Sequence, residues 1–148
     1  MINRELINPQ SIVVVGGSNN VHKPGGRLVR NLLDGKYKGE LYVVNAKEDD
    51  VQGLKSYHSV HDIPETELAI ISIPGPACPE AVDVLAKQKN VKAFIVISAG
   101  FGEETHEGAI LEEQMLKSIN EAGASLIGPN CIGLMNMHYH GVFTQPIP

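Results

Sequence analysis

The sequence is short of the features that mark several large functional classes. It has only two cysteines, Cys78 and Cys131, far apart and without CxxC spacing, which argues against a cysteine zinc site or a redox dithiol and fits a reduced compartment. A basic surplus is missing: the net charge of −5 gives no electrostatic footing for nucleic acid or for an anionic membrane surface. No apolar run approaches the length that crosses a bilayer, and "MINRELINPQ" lacks the apolar core of a secretory leader. Internal repeats and low-complexity tracts are missing too. What remains is 148 residues of ordinary globular composition, 43% hydrophobic and 20% charged, one domain's worth of chain able to bury a core. A cytoplasmic protein without a membrane, nucleic-acid or metal partner is expected.

Short apolar runs alternate with amphipathic stretches along the chain. Ser11–Val15, Leu41–Val44, Leu68–Ile73, Ala93–Ser98 and Ser125–Gly128 are rich in Val and Ile and run apolar without alternation, as strands covered on both faces do. Between them lie helical patterns. Leu28, Val29, Leu32 and Leu33 form one face, with Arg27 and Arg30 pointing away; Ala81, Val82, Leu85 and Ala86 form another, with Pro79 and Glu80 at its start and Lys87 and Lys89 at its end. Leu111, Met115, Ile119 and Ala122 form the last, with Thr105 as a candidate N-cap and Gly123 as the residue past its end. The segment "QGLKSYHSVHDIPE" reads as a short strand or loop. The rhythm predicts an α/β, Rossmann-like, doubly wound parallel sheet of about five main strands in the order 3-2-1-4-5. Ligands in such sheets bind beyond the C-terminal strand ends where the winding reverses, so the loops after Val15, Val44 and Ile97 are the ones to watch.

The first of those loops is "GGSNNVHKPGG". Gly16 and Gly17 end the strand, and Pro24 lies near the helix start. Glycines let backbone amides approach a ligand closely, and a helix N-terminus favours an anion. Ser18, Asn19, Asn20 and Lys23 offer further donors to phosphate oxygens; a purely structural strand-to-helix turn is the competing reading. The run is neither GxxxxGK[ST] nor GxGxxG. An NAD site wants an acid at the end of the second strand, but "VVNAKEDD" puts Asn45 there and Lys47 just beyond. That lysine suits a phosphate, as in an NADP site or one for coenzyme A, while Glu48, Asp49 and Asp50 read as a solvated turn.

Two further blocks, "VISAGFGEETHEG" after the fourth strand and "LIGPNCIGLMNM" after the fifth, join "VVVGGSN" and "VVNAK" in order and spacing. Together they resemble the CoA-binding domain of the NDP-forming acyl-CoA synthetases, which include ADP-forming acetyl-CoA synthetase and the related succinyl-CoA synthetase alpha subunit. The resemblance covers almost the whole chain and implies that residues 1–148 are a single CoA-binding domain whose later ligase domains, an ATP-grasp part among them, are absent. It implies a reaction in which acyl-CoA and phosphate give an acyl phosphate and CoA, the phosphoryl group then passing through a histidine to ADP or GDP. That histidine belongs to a later domain, so no catalytic residue is expected here.

By the same resemblance Gly16, Ser18, Asn19 and Asn20 belong to the loop that contacts CoA phosphates, Lys47 to the loop after the second strand, and Ile97, Ser98 and Ala99 to the segment after the fourth. Lys23 and Gly25 join them, although the turn is longer here than in the succinyl-CoA synthetase relatives. Those relatives carry a glutamate where Ala99 stands, so that contact is missing. Pro74, in "IPGPACPE", flanks the ligand or fixes the entry to the next helix. Among the histidines, His22 lies in the phosphate loop; His58, His61 and His106 fall in polar connections; His138 and His140 have no third metal ligand nearby. Cys131 has no histidine paired with it by any motif and reads as a structural thiol lining the loop. A stand-alone CoA-binding sensor or regulatory protein, or an NAD(P)-binding domain, remain the alternatives.

Overall fold

The computed structural model describes residues 2–98, 106–129, 131 and 133–143. In chain order the elements are α1 (Arg4–Ile7), β1 (Ser11–Val15), α2 (Pro24–Asp34), β2 (Glu40–Val44), β3 (Asp50–Val51), β4 (Leu54–Tyr57), β5 (Leu68–Ile71), α3 (Cys78–Gln88), β6 (Ala93–Val96), α4 (His106–Ala122), β7 (Ser125–Ile127), β8 (Gly133–Met135) and β9 (His140–Val142). Seven strands form one sheet in the order β3-β4-β2-β1-β5-β6-β7, and β8 and β9 make a separate hairpin. All the pairings in the large sheet are parallel except that of β3 with β4.

The apolar strand runs have a direct cause. In β1, Val13 and Val15 point into a core shared with Val82 and Leu85 of α3 and Met115 and Ile119 of α4. Their neighbours Ile12 and Val14 point the other way, into a core with Leu6 of α1, Leu28, Val29 and Leu32 of α2, and Tyr139. Both faces are therefore covered, and alternation has nothing to expose. Each helix face expected from the sequence turns onto a core, with Leu33, Leu111 and Ala122 half-buried at its margin. Gly123, at φ +65°, ends α4 with its N–H on the Asn120 carbonyl, while Ala124 N–H bonds to Ile119. Thr105, the candidate N-cap, lies outside the described residues. Among the described residues no helix is long and apolar enough to cross a membrane.

The strand order corrects the expected one. Counting the five main runs, 3-2-1-4-5 sets Ala93–Ser98 beside Ser11–Val15, but β1 pairs instead with β5, the Leu68 run. The outer position beside β2 belongs to β4, the segment that read as a short strand or loop. Once β4 is counted, the winding runs outward from β1 through β2 to β4, then from β5 to β7 in the opposite direction. The switch point lies between β1 and β5. The loop facing the glycine turn is thus the one leaving β5, not the one leaving β6. The β8–β9 hairpin was not foreseen; Asn31 of α2 donates to the Val142 carbonyl at 2.7 Å and Tyr139 Oη to the Leu6 carbonyl at 2.6 Å, which fasten it to the α1–α2 face.

Candidate functional site at the switch point

Beyond the ends of β1, β2 and β5 the ladder continues for one more residue. Gly16 N–H donates to Val44 at 2.9 Å, Ser72 N–H to Val15 at 2.8 Å and Asn45 N–H to Tyr57 at 2.9 Å. The chain can then turn away only where no side chain obstructs it. Gly16 has φ +93°, and a Cβ there would fall on the Ser72 carbonyl. Gly25, in the first turn of α2, packs its Cα against the Gly16 carbonyl so closely that a Cβ would overlap that oxygen. The strand end and the helix start therefore touch through backbone alone.

A cleft of about 690 Å³ opens over this contact. Gly16, Gly17 and Ser18 form its floor, with Lys23, Pro24 and Gly25 at the start of α2. Asn45–Lys47 and His58–Val60 line the β2–β4 side, and Ser72–Pro74 with Ala81 the β5 side. The first turn of α2 carries no acidic residue and no side-chain cap. Its leading amides have no partner one turn back, and the helix dipole puts partial positive charge there. Lys23 and Lys47 are both exposed on the cleft rim, and neither makes an ion pair among the described residues. The arrangement is suited to holding anionic oxygens.

Two of the acids that follow β2 have partners of their own. Asp49 Oδ1 lies 2.8 Å from His58 Nε2, and Asp50 Oδ1 accepts from Gly53 N–H at 2.9 Å in the β3–β4 turn. Asn45, at the position where a ribose-binding acid would stand, donates to the Gly17 carbonyl at 2.8 Å and accepts from the Lys47 and Glu48 amides at 2.9 and 3.0 Å. Its side chain shapes the loop.

The residues singled out from the sequence divide into groups. Gly16, Ser18, Lys23, Gly25, Lys47 and Pro74 come together around the cleft. Asn19 and Asn20 do not line it: Asn19 brackets the β3–β4 turn, and Asn20 Oδ1 accepts from His22 N–H at 3.0 Å within the loop. Ile97 is packed in the α1–α2 core, and Ser98 Oγ accepts from Ile73 N–H at 3.1 Å, joining the ends of β5 and β6. Ala99 lies outside the described residues. His58, Ser59, Val60, Ser72 and Ile73 were missed. Accepting "LKSY" as a strand would have flagged the first three, since they follow its C-terminal end.

The remaining candidates are placed as follows. Cys131 is half-buried with its thiol on the Val96 carbonyl at 3.4 Å, and burial pushes that thiol up, away from thiolate chemistry. Cys78 is likewise raised by burial. His22, His61, His106, His138 and His140 are exposed. Among the described residues no three His, Cys, Asp or Glu side chains group as metal ligands.

A family model described as CoA binding domain matches residues 10–137. The alpha subunit of ADP-forming acetate–CoA ligase II from Pyrococcus furiosus is 40% identical over 135 residues, covering 90% of this chain and 29% of that relative. ADP-forming acetate–CoA ligase II from Archaeoglobus fulgidus is 39% identical over 134 residues, covering 90% of this chain and 20% of its own length. Among solved structures, the apo form of the dinucleotide forming acetyl-coenzyme A synthetase 1 of Ca. Korarchaeum cryptofilum superposes with a TM-score of 0.88 at 33% identity, over 96% of this chain and 31% of the other. The chain spans less than a third of each of these proteins.

Proposed function

This chain belongs to the CoA-binding domain family, and from that premise we propose that the switch-point cleft receives coenzyme A with its phosphates over the glycine turn. The observation that carries the reading is the backbone contact of Gly25 with Gly16, which sets the start of α2 on the cleft floor beside Lys23 and Lys47, neither of which makes an ion pair among the described residues. Gly16, Ser18, Lys23, Gly25 and Lys47 are assigned to phosphate oxygens. Val60, Ile73 and Pro74 give an apolar wall suited to the flat base. Asn19 and Asn20 act by shaping the loop, and the segment from Ile97 through Ala99 is assigned to the path of the ligand's thiol arm. Asn45, already committed to Gly17, leaves no acid for a ribose hydroxyl and favours CoA over NAD.

In the wider scheme the chain is the CoA-holding part of an NDP-forming acyl-CoA ligase, as the names of its relatives and its small share of their length support. Acyl-CoA and phosphate give acyl phosphate and free CoA, and a histidine outside this chain relays the phosphoryl group to the nucleoside diphosphate. Its partners are acyl-CoA and the remaining ligase domains or subunits, the ATP-grasp part included, in the cytoplasm.

A thermal shift with CoA, dephospho-CoA, NAD and NADP in parallel tests the reading. Ligand at about a hundred times its Kd adds roughly 2.7 kcal/mol, a rise of several degrees for a domain of this size. Stabilisation by CoA, weaker with dephospho-CoA and absent with NAD, is expected. A response to NAD or NADP alone would overturn the ligand.

A further inference from the structure

The turn between β3 and β4 has two residues, Gln52 and Gly53, with Val51 paired to Leu54 across it. Both have positive φ, +51° and +87°. Such a hairpin turn favours Asn, Asp or Gly at its first position, because longer L side chains are disfavoured in the left-handed region. A glutamine there works against the turn, so its side chain is the place to look for a compensating role.

That side chain reaches into the glycine-rich loop. Gln52 Nε2 donates to the carbonyls of Ser18 and Gly26, both at 2.9 Å, and so ties the loop's beginning to the first turn of α2. The tie is returned: Asn19 Oδ1 accepts from Gln52 N–H at 2.7 Å, and Asn19 Nδ2 donates to the Asp50 carbonyl at 2.8 Å. Neither Gln52 nor Asn19 lines the cleft. The Ser18 carbonyl, which lies at the cleft, is thereby engaged by the Gln52 amide rather than left free to face an incoming anion.

The geometry points to Gln52 as a positioning residue for phosphate recognition: its amide fixes the shape of the Gly16–Gly26 loop before the ligand arrives. The inference rests on the assignment of this cleft to CoA. Preorganisation of this kind raises affinity by removing the ordering cost from the binding step. Gln52→Asn separates the role in the loop from the role in the turn. Asparagine suits the left-handed turn better but is one methylene too short to bridge Ser18 and Gly26.

The experiment compares the whole chain with its Q52N and Q52E variants by melting temperature, amide hydrogen exchange and CoA titration. Q52N is expected to melt at or above the parent, to exchange its loop amides roughly tenfold faster, and to bind CoA roughly tenfold more weakly. Q52E keeps the length but cannot donate to either carbonyl, and is expected to show the same loop-confined exchange and weaker binding. Unchanged loop exchange, or unchanged CoA affinity in both variants, would overturn the inference. Acceleration spread over the whole sheet would overturn it as well, since that reports general destabilisation. Failure of the parent chain to bind CoA would remove the ligand assignment instead, and the loop exchange would then decide whether Gln52 holds the loop.

Discussion

Asn45 donates its side-chain amide to the Gly17 carbonyl at 2.8 Å, so the chain leaving β2 is fastened to the turn leaving β1. The same side chain accepts from two amides of its own loop. One residue thereby sets the distance between the glycine turn and Lys47, the two sides of the cleft that would meet a phosphate-rich ligand. Asn45→Asp keeps the acceptor and loses the donor, leaving a carboxylate against the Gly17 carbonyl. Loss of about 1–3 kcal/mol of stability is expected, together with weaker CoA binding and no gain of NAD binding. Urea unfolding and parallel titrations check this; acquired NAD affinity would show a dinucleotide cleft one residue away from function.

Lys47 makes no ion pair among the described residues, so its removal leaves no stranded carboxylate behind. Lys47→Ala is expected to leave the melting temperature unchanged and to weaken CoA binding by about 1–3 kcal/mol, the range of charged hydrogen bonds. Raising the salt should narrow the difference between variant and parent, because exposed charges are screened. Equal affinity in low salt would take Lys47 out of the site.

Much of this was legible in the sequence because it depends on local pattern. Strands β1, β2, β5, β6 and β7 are apolar on both faces, and the buried face of α2 follows helical spacing, so each could be read from neighbours along the chain. The strand order could not, since it turns on β4, whose "LKSY" is too short and too mixed to be told from a loop. Gly16, Lys23, Gly25 and Lys47 were legible as residue types suited to phosphate. Asn19 belongs to the same loop, but its amide faces outward to Asp50 and Gln52, a distinction only the fold makes. Gln52 carried no signal, because its partners lie far away in sequence.

Gly25 sits where helix propensity and packing give opposite answers. Alanine is favoured over glycine by up to about 1 kcal/mol within a helix, though least in its first turn. Against that, its Cβ would overlap the Gly16 carbonyl, and overpacking of this kind costs about 1–3 kcal/mol. Gly25→Ala is therefore expected to be destabilising by about 1–2 kcal/mol, with CoA binding weakened further because the loop must open to relieve the contact. Unfolding curves with and without CoA measure both. A stabilised variant would mean that the helix start and strand end are not held in contact.

At the opposite end of the sheet the fold carries a pH dependence that should leave the cleft untouched. Arg4 donates to both carboxylate oxygens of Glu67, at 2.7 and 3.0 Å, and Gln10 N–H adds a third bond at 2.8 Å. The Arg4 hydrogen bonds, with the Gln10 amide assisting, hold Glu67 below the usual carboxylate range. A depressed native pKa means that the unfolded chain takes up the proton first as the solution is acidified. The contribution is therefore complete above the unfolded value of about 4.3 and is lost as the pH falls through the lower native one. Glu67→Gln removes that contribution, so the stability gap between parent and variant should be widest near neutral pH and close progressively below about pH 4. Denaturant melts across that range measure the gap, while CoA affinity at neutral pH should be the same in both proteins. A gap independent of pH would mean that Glu67 is not ionised through Arg4, and altered CoA affinity would mean that the two ends of the sheet are coupled.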